Sequence, residues 1–305
     1  MDHRTLTTTK RRLRRDILPM GLWKKAKKLG IWNPEDLDFT KDKEDWKKLN
    51  DAERDILLRI VSQFQAGEEA VTIDILPLIN VIAKEGRIEE ELFLTSFLWE
   101  EAKHVDFFSR WLEEVPGDTS SHERYMTDAY VKLFYEILPG TLRALNTDPS
   151  PAAQVRASTL YNMVIEGMLA ETGYHIYYAI LQEHDIMPGQ LEGIGHLKRD
   201  ESRHLAYGVF LLSRLIAADD SLWEVFESYM NELLPLGQEL ISGLLTGEPG
   251  TELPFGLKES YFIDYATEQF EKRYARIQKC RGRSLEEIYG APDLFIEESK
   301  AMVLA

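Results

Sequence analysis

Cysteine is nearly missing from this 305-residue chain, where Cys280 stands alone. No internal disulfide can form, and no cysteine-based zinc site can be assembled. Such usage suits a reducing compartment. No apolar run approaches the roughly 18 residues that a membrane-spanning helix needs. The opening MDHRTLTTTKRRLRRD also lacks the apolar segment of a secretory signal, so the expected location is the cytoplasm. Basic charge is scarce as well: 36 Lys and Arg stand against 52 Asp and Glu, for a net charge of −16. That balance argues against nucleic acid as the main partner, because phosphate binding needs a basic surface. The one exception is Lys10, Arg11, Arg12, Arg14 and Arg15, followed by Lys24, Lys25, Lys27 and Lys28. It reads as a solvated N-terminal arm over residues 1–30.

Strand signals and Gly- or Ser-rich linkers are scarce too, whereas helical periodicity is everywhere. Ile56, Leu57, Ile60, Val61 and Phe64 repeat at i, i+3, i+4 spacing and predict a helix over 51–83, with Asp51 as its N-cap and Pro77 as a kink or early stop. Further helices are expected over 87–114, 121–146 (broken at Pro139-Gly140), 152–184, 188–216 and 220–245, with a last one from Phe255 to Gln278. Long helices with short connections favour an antiparallel bundle. The expected fold class is all-α, as one domain spanning 1–305 with core helices over 51–216 and additional C-terminal helices over 220–305.

Within that pattern EEAKHVDFF near position 101 is echoed by DESRHLAYG near position 201. Glu-x-x-His therefore occurs twice, as Glu101/His104 and Glu201/His204. Each copy follows another glutamate in an apolar helix, Glu68 or Glu166. Residues three apart on a helix share a face about one turn apart, so a carboxylate and an imidazole of each copy can reach one metal ion. Four carboxylates and two imidazoles suit two metals of intermediate hardness, such as iron or manganese. Four carboxylates also balance two divalent cations, which lets the cluster sit in a dry core. A single Glu-x-x-His is common on helices; the matched duplication carries the inference. His-Glu-x-x-His, the zinc protease arrangement, does not occur. Glu100 is ambiguous, one turn from His104 but matched by Asp200 in the second copy, and Lys103 is expected to be solvated.

These residues resemble the ferritin-like dimetal carboxylate superfamily, whose two helical hairpins present this ligand set from four helices. Within it, IWNPEDLDF, Ile31 to Phe39, is similar to the tryptophan segment of ribonucleotide reductase small subunits. The resemblance implies that Trp32 is an electron-transfer residue and that Asp200 links it to a metal-bound His104. A core tryptophan and a surface aspartate are the plain alternatives. Two features depart from that subunit: Phe108 stands where its radical tyrosine lies, and the tail FIEESKAMVLA carries no tyrosine, Tyr289 being the last in the chain.

A better match is the reductase-like ligand-binding oxidases, which share the first-ligand glutamate, here Glu68. That resemblance implies manganese with Glu68, Glu101 and His104, and iron with Glu166, Glu201 and His204, bridging by Glu68 or Glu166 being open. Glu and His ligands accept iron and manganese alike, so a di-iron centre is the other occupant. It also implies an ether crosslink between Val71 and Tyr161, a bound long-chain fatty acid, dioxygen as oxidant, and a homodimer. The implied function is a dioxygen-activating oxidase of C–H bonds. A reductase small subunit lacking the radical tyrosine is the alternative, and a metal store the third reading. Val71 lies one turn from Glu68, whereas Tyr161 would sit about 140° from Glu166 in a regular helix. A π-type turn near 162–165 is needed to bring them together. Tyr174 is a further candidate near the centre. Gly67, Gly167, Ala170 and Gly173 could open a pocket for an acyl chain or mark close helix packing.

Overall fold

The computed structural model describes residues 6–118, 120–246 and 252–290, and no strand occurs among them. The main helices are α1 (Leu18–Leu29), α2 (Asp51–Asp74), α3 (Ile88–Glu114), α4, α5 (Pro188–Ala218), α6 (Leu222–Leu244) and α7 (Glu259–Gln278). Helix α4 begins as Pro151–Ser158, runs on as a π-helix over Thr159–Ala170, and returns to α geometry over Glu171–Tyr177. The all-α expectation holds.

Local chemistry accounts for the ends. Asn50, not Asp51, caps α2: its side chain accepts from Glu53 N while the Glu53 carboxylate accepts from Asn50 N. This reciprocal box satisfies two of the helix's orphan donors, and an asparagine one residue earlier makes it possible. Pro77 does stop α2, and a separate helix, Leu76–Lys84, starts around it. The helix expected from 121 starts only at Asp128 and passes through a π segment, Val131–Ile137, before Pro139 restarts it within Leu138–Ala144. Helix α7 starts at Glu259 rather than Phe255, because Phe255 takes a left-handed φ of 61°.

Helices α2 and α3 form one hairpin, α4 and α5 the other, and their facing sides make the four-helix core. Helices α6 and α7 cover α4. The basic cluster is solvated as expected, with only Lys25 half-buried, but the segment that carries it is not a free arm. Leu18, Met20, Leu22 and Ala26 of α1 are buried against α3 and α5, while Lys24, Lys27 and Lys28 keep the outer face. Arg11 is likewise tied down, forming a two-pronged pair with Glu89 of α3. An amphipathic helix buries its apolar stripe whatever the charge of its other face. At the end of α1, Gly30 comes so close to the core that a Cβ there would meet Glu100 Oε1 at 2.1 Å. The tail from Phe295 lies outside the described residues.

Candidate metal centre

Each core helix delivers carboxylates to one point: Glu68 from α2, Glu101 and His104 from α3, Glu166 from α4, and Glu201 and His204 from α5, all buried. Their donor atoms form two overlapping sets, Glu68–Glu101–His104–Glu201 and Glu101–Glu166–Glu201–His204, each within 4.8 Å. Glu101 and Glu201 belong to both sets, so the middle of the cluster is held by the two glutamates of the Glu-x-x-His pairs. Glu68 and Glu166 take the two ends. His104 Nδ1 lies 3.3 Å from Glu68 Oε2 and from Glu101 Oε2, and 3.4 Å from Glu201 Oε1. His204 Nδ1 lies 3.4 Å from Glu101, Glu166 and Glu201.

The donors fit a pair of cations. Glu101 Oε2, Glu166 Oε1, Glu201 Oε2 and His204 Nδ1 are buried without a hydrogen-bond partner, a cost few folded proteins carry at one spot. Burial pushes the carboxyls of Glu68 and Glu166 up to about 7, against the pull of His104 and His204 respectively. Burial also drives Glu201 well above the ordinary range. Glu101 goes the other way: burial opposes its charge, but hydrogen bonds with His104 and His204 hold its carboxyl low. Both histidines are raised despite burial, His104 chiefly by Glu68 and His204 chiefly by Glu201. Protons would thus neutralise a cluster whose carboxylates, once ionised, call for metal.

Behind the donors lies a cross-braced outer layer. Asp200 Oδ2 faces His104 Nε2 at 3.5 Å and accepts from Trp32 Nε1 at 2.8 Å. Asp200 is fully buried, which overturns the surface-aspartate alternative. Burial opposes its charge, yet contacts with His104, Arg203 and Lys103 hold its carboxyl far below the ordinary range. Glu100 resolves in the same way: its Oε2 lies 3.0 Å from His204 Nε2 and its Oε1 accepts from Arg203 at 2.6 Å. Arg203 also pairs with Asp200. Lys103, expected in solvent, is buried, donating to Gly30 O at 2.8 Å and Asp200 Oδ2 at 3.2 Å. Helix α1 covers the face of α3 that periodicity alone leaves open.

Tyr161 sits on the π-helical stretch of α4, whose i→i+5 bonding stacks residues five apart. Its hydroxyl donates to Glu101 Oε1 at 3.1 Å and lies 3.3 Å from the carbonyl of Val71. Next to them opens a cavity of about 80 Å³, lined in part by Glu68, Glu101, Glu166 and Glu201. Val71, Gly67, Ala170 and Gly173 also line it, together with Leu240, Ile241 and Leu244 of α6. Gly167 is not part of this wall; a Cβ there would meet Arg273 Nε at 3.0 Å, so it marks close packing with α7.

A model of the ribonucleotide reductase small chain family matches residues 20–269. Among solved structures, a valine-to-alanine variant of an R2-like ligand-binding oxidase with an anaerobically reconstituted Mn/Fe cofactor is 37% identical, with a TM-score of 0.85, covering 92% of this chain and 100% of that one. A tyrosine-to-phenylalanine variant with an aerobically reconstituted Mn/Fe cofactor has the same identity, TM-score and coverage. A glycine-to-leucine variant with a non-activated Mn/Mn cofactor is also 37% identical, with a TM-score of 0.85, covering 93% of this chain and all of that one.

The chain belongs to the ribonucleotide reductase small-chain family, among its R2-like ligand-binding oxidases.

As an R2-like oxidase it is an oxidoreductase, a dimetal oxidase, and its buried carboxylate–histidine cluster suits the Mn/Fe type of cofactor those relatives carry. Phe108 is fully buried beside Phe64, ring centroids 5.3 Å apart. Tyr174 is also buried, packed on Phe64, and its hydroxyl has no hydrogen-bond partner. Helix periodicity left Glu100 ambiguous, put Lys103 in solvent and did not mark Arg203. The signal was an acid immediately ahead of each Glu-x-x-His, which the antiparallel hairpins carry across to the opposite histidine.

Proposed function

We propose that this R2-like oxidase binds a long-chain fatty acid, or a similar carboxylate, and oxidises C–H bonds by two electrons, including formation of a Val71–Tyr161 ether. In this reading manganese would be held by Glu68, Glu101 and His104, and iron by Glu166, Glu201 and His204, Glu101 and Glu201 being the donors common to both candidate sets. Bound there, the metal pair supplies activation of dioxygen and the oxidising power. The chain's own residues do the rest. Asp200 and Glu100 orient the two imidazoles through their outer nitrogens. The carboxylates that line the cavity would set the headgroup of an acidic ligand against the metals, while apolar lining residues such as Leu240, Ile241 and Leu244 would accept its acyl chain.

The observation that carries the reading is the position of the Tyr161 hydroxyl, between Glu101 and the backbone of Val71. Glu101 can accept the phenolic proton, and the tertiary C–H of Val71 is the weakest alkyl bond on that side chain. Forming the ether removes one hydrogen from each residue, two protons and two electrons in all, with dioxygen as the oxidant. All four core helices contribute to the site, which supports a single domain. Cytoplasmic residence, supported by a lone cysteine, and a homodimer complete the reading; Ile73, Leu76, Val131 and Tyr135 offer exposed apolar surface for a second copy.

The test is tryptic mass spectrometry after aerobic loading with manganese and iron. A peptide joining Val71 to Tyr161, two hydrogens lighter than the sum of its parts, is expected. Separate peptides under every loading condition would remove the crosslink chemistry. Nucleotide reduction with a reductase large chain would instead favour the small-subunit alternative.

A further inference from the structure

Lys103 places a buried cation between two indoles. Its Nζ lies 4.3 Å from the ring centroid of Trp32 and 4.5 Å from that of Trp99. Trp32 is the inner ring: it donates to Asp200 and stacks on His104 with centroids 6.3 Å apart. Trp99 is the outer ring and is 48% exposed. The ammonium group, held by Gly30 O and Asp200 Oδ2, therefore stands between the half-buried Trp32, which neighbours the metal-site histidine, and the exposed Trp99.

The charge acts differently on the two redox states of the ring. A cation over a neutral indole is attracted by the negative face of the π-system. An indole that has lost an electron is positive, and the same contact becomes repulsive, screened less beside the buried Lys103 and the half-buried Trp32 than it would be in water. Proton release is hindered as well. Asp200, the acceptor of the Trp32 N–H, is already paired with Lys103 on one oxygen and Arg203 on the other. With Glu100, these groups make two acids and two cations, a layer with no net negative charge to stabilise an indole cation.

We propose that Lys103 is a positioning residue that insulates the metal cavity, suppressing one-electron oxidation of Trp32 and so the escape of oxidising equivalents through Trp99. The suppressed step is transfer of one electron from the Trp32 indole to the oxidised centre, its N–H proton passing to Asp200. The role rests on the oxidase reading, since an enzyme that oxidises a C–H bond inside its cavity gains from such insulation. A subunit that exports its oxidising equivalent would lose by it.

The experiment uses the full metal-free chain carrying Trp99→Phe. Illuminated ruthenium tris(bipyridine) with persulfate as terminal electron acceptor oxidises tryptophans, and peptide mass spectrometry quantifies each site. Lys103→Met and Lys103→Gln, both uncharged, should raise oxidation at Trp32 several-fold, and Lys103→Arg should hold it at the parental yield. Buried Trp111 is the internal control and should not change. Parental yield at Trp32 in both neutral variants overturns the proposal. So does an equal rise in the Arg variant, or a parallel rise at Trp111, because Lys103 would then act through packing. No metal takes part, so absence of the Val71–Tyr161 peptide would remove the proposed chemistry without deciding this result.

Discussion

Glu100 and His204 belong to different hairpins, yet Glu100 Oε2 sits 3.0 Å from His204 Nε2. Asp200 stands in the reciprocal position, 3.5 Å from His104 Nε2. Each acid thus precedes a donor glutamate of its own helix and orients the histidine of the opposite one. The hairpins are braced to each other through the same residues that aim the imidazoles inward, so metal geometry and helix packing are coupled.

Replacing Glu100 with Gln removes the charge that orients His204 and leaves Asp200 as the one carboxylate paired with Arg203. Losing such an outer partner weakens metal binding by roughly 10–100-fold. Chelator competition followed by metal analysis should show early loss from the His204 side. Retention equal to the parent would mean that Glu100 serves packing only.

The metal-free protein should lose stability as pH rises from about 4.5 to about 7. Glu68 and Glu166, raised to about 7, hold more protons folded than unfolded across that window. The unfolding free energy then falls with pH, because the unfolded state binds fewer protons. The raised histidines push the same way, their contribution being present at low pH and lost as pH climbs through their folded values. Urea denaturation at stepped pH measures this slope, and saturating manganese and iron should reverse the contribution of these groups, because they bind metal deprotonated. A metal-free stability that is flat or rises over the window contradicts the assignment.

Gly30→Ala and Gly21→Ala should have opposite effects. A Cβ on Gly30 meets Glu100 Oε1 at 2.1 Å, whereas one on Gly21 meets nothing within 4 Å. The first forces α1 off the core and should cost about 1–3 kcal/mol. The second removes a helix-interior glycine and should stabilise by about 0.5–1 kcal/mol. Denaturant midpoints compare the two directly, and equal shifts would show that α1 packs less closely than described.

Ile241→Trp places an indole in the cavity from α6, a helix that supplies none of the candidate metal donors. Long acyl chains should then be excluded while metal loading is kept. Solvent extraction and native mass spectrometry of purified protein would report the bound acid. Undiminished recovery of long chains would place the ligand elsewhere.

The helical class, the hairpin pairing and the six candidate donors were legible along the chain, because each follows from short-range rules. Periodicity marks a buried stripe, and Glu-x-x-His spacing puts both side chains on one face whatever the helix packs against. The need for a π-helical stretch around Tyr161 could also be read locally, from the angular mismatch between residues five apart. The N-cap at Asn50 was missed by one residue, since two neighbouring polar side chains compete for the cap and only the backbone turn selects one.

Contacts between distant segments were a different matter. Lys103 looks solvent-facing on α3 until α1, more than 70 residues earlier, lies over it. Glu100 stays ambiguous along the chain until antiparallel packing carries it to His204. Gly167 resembles a cavity wall until α7 arrives with Arg273. By itself the sequence determined which side chains share a helix face, because that depends on the backbone repeat alone. Tertiary structure decided which faces meet, which charges lose their water, and which two of the four glutamates stand in the middle of the cluster. Those outcomes depend on the relative placement of helices, a property that no single stretch of chain encodes.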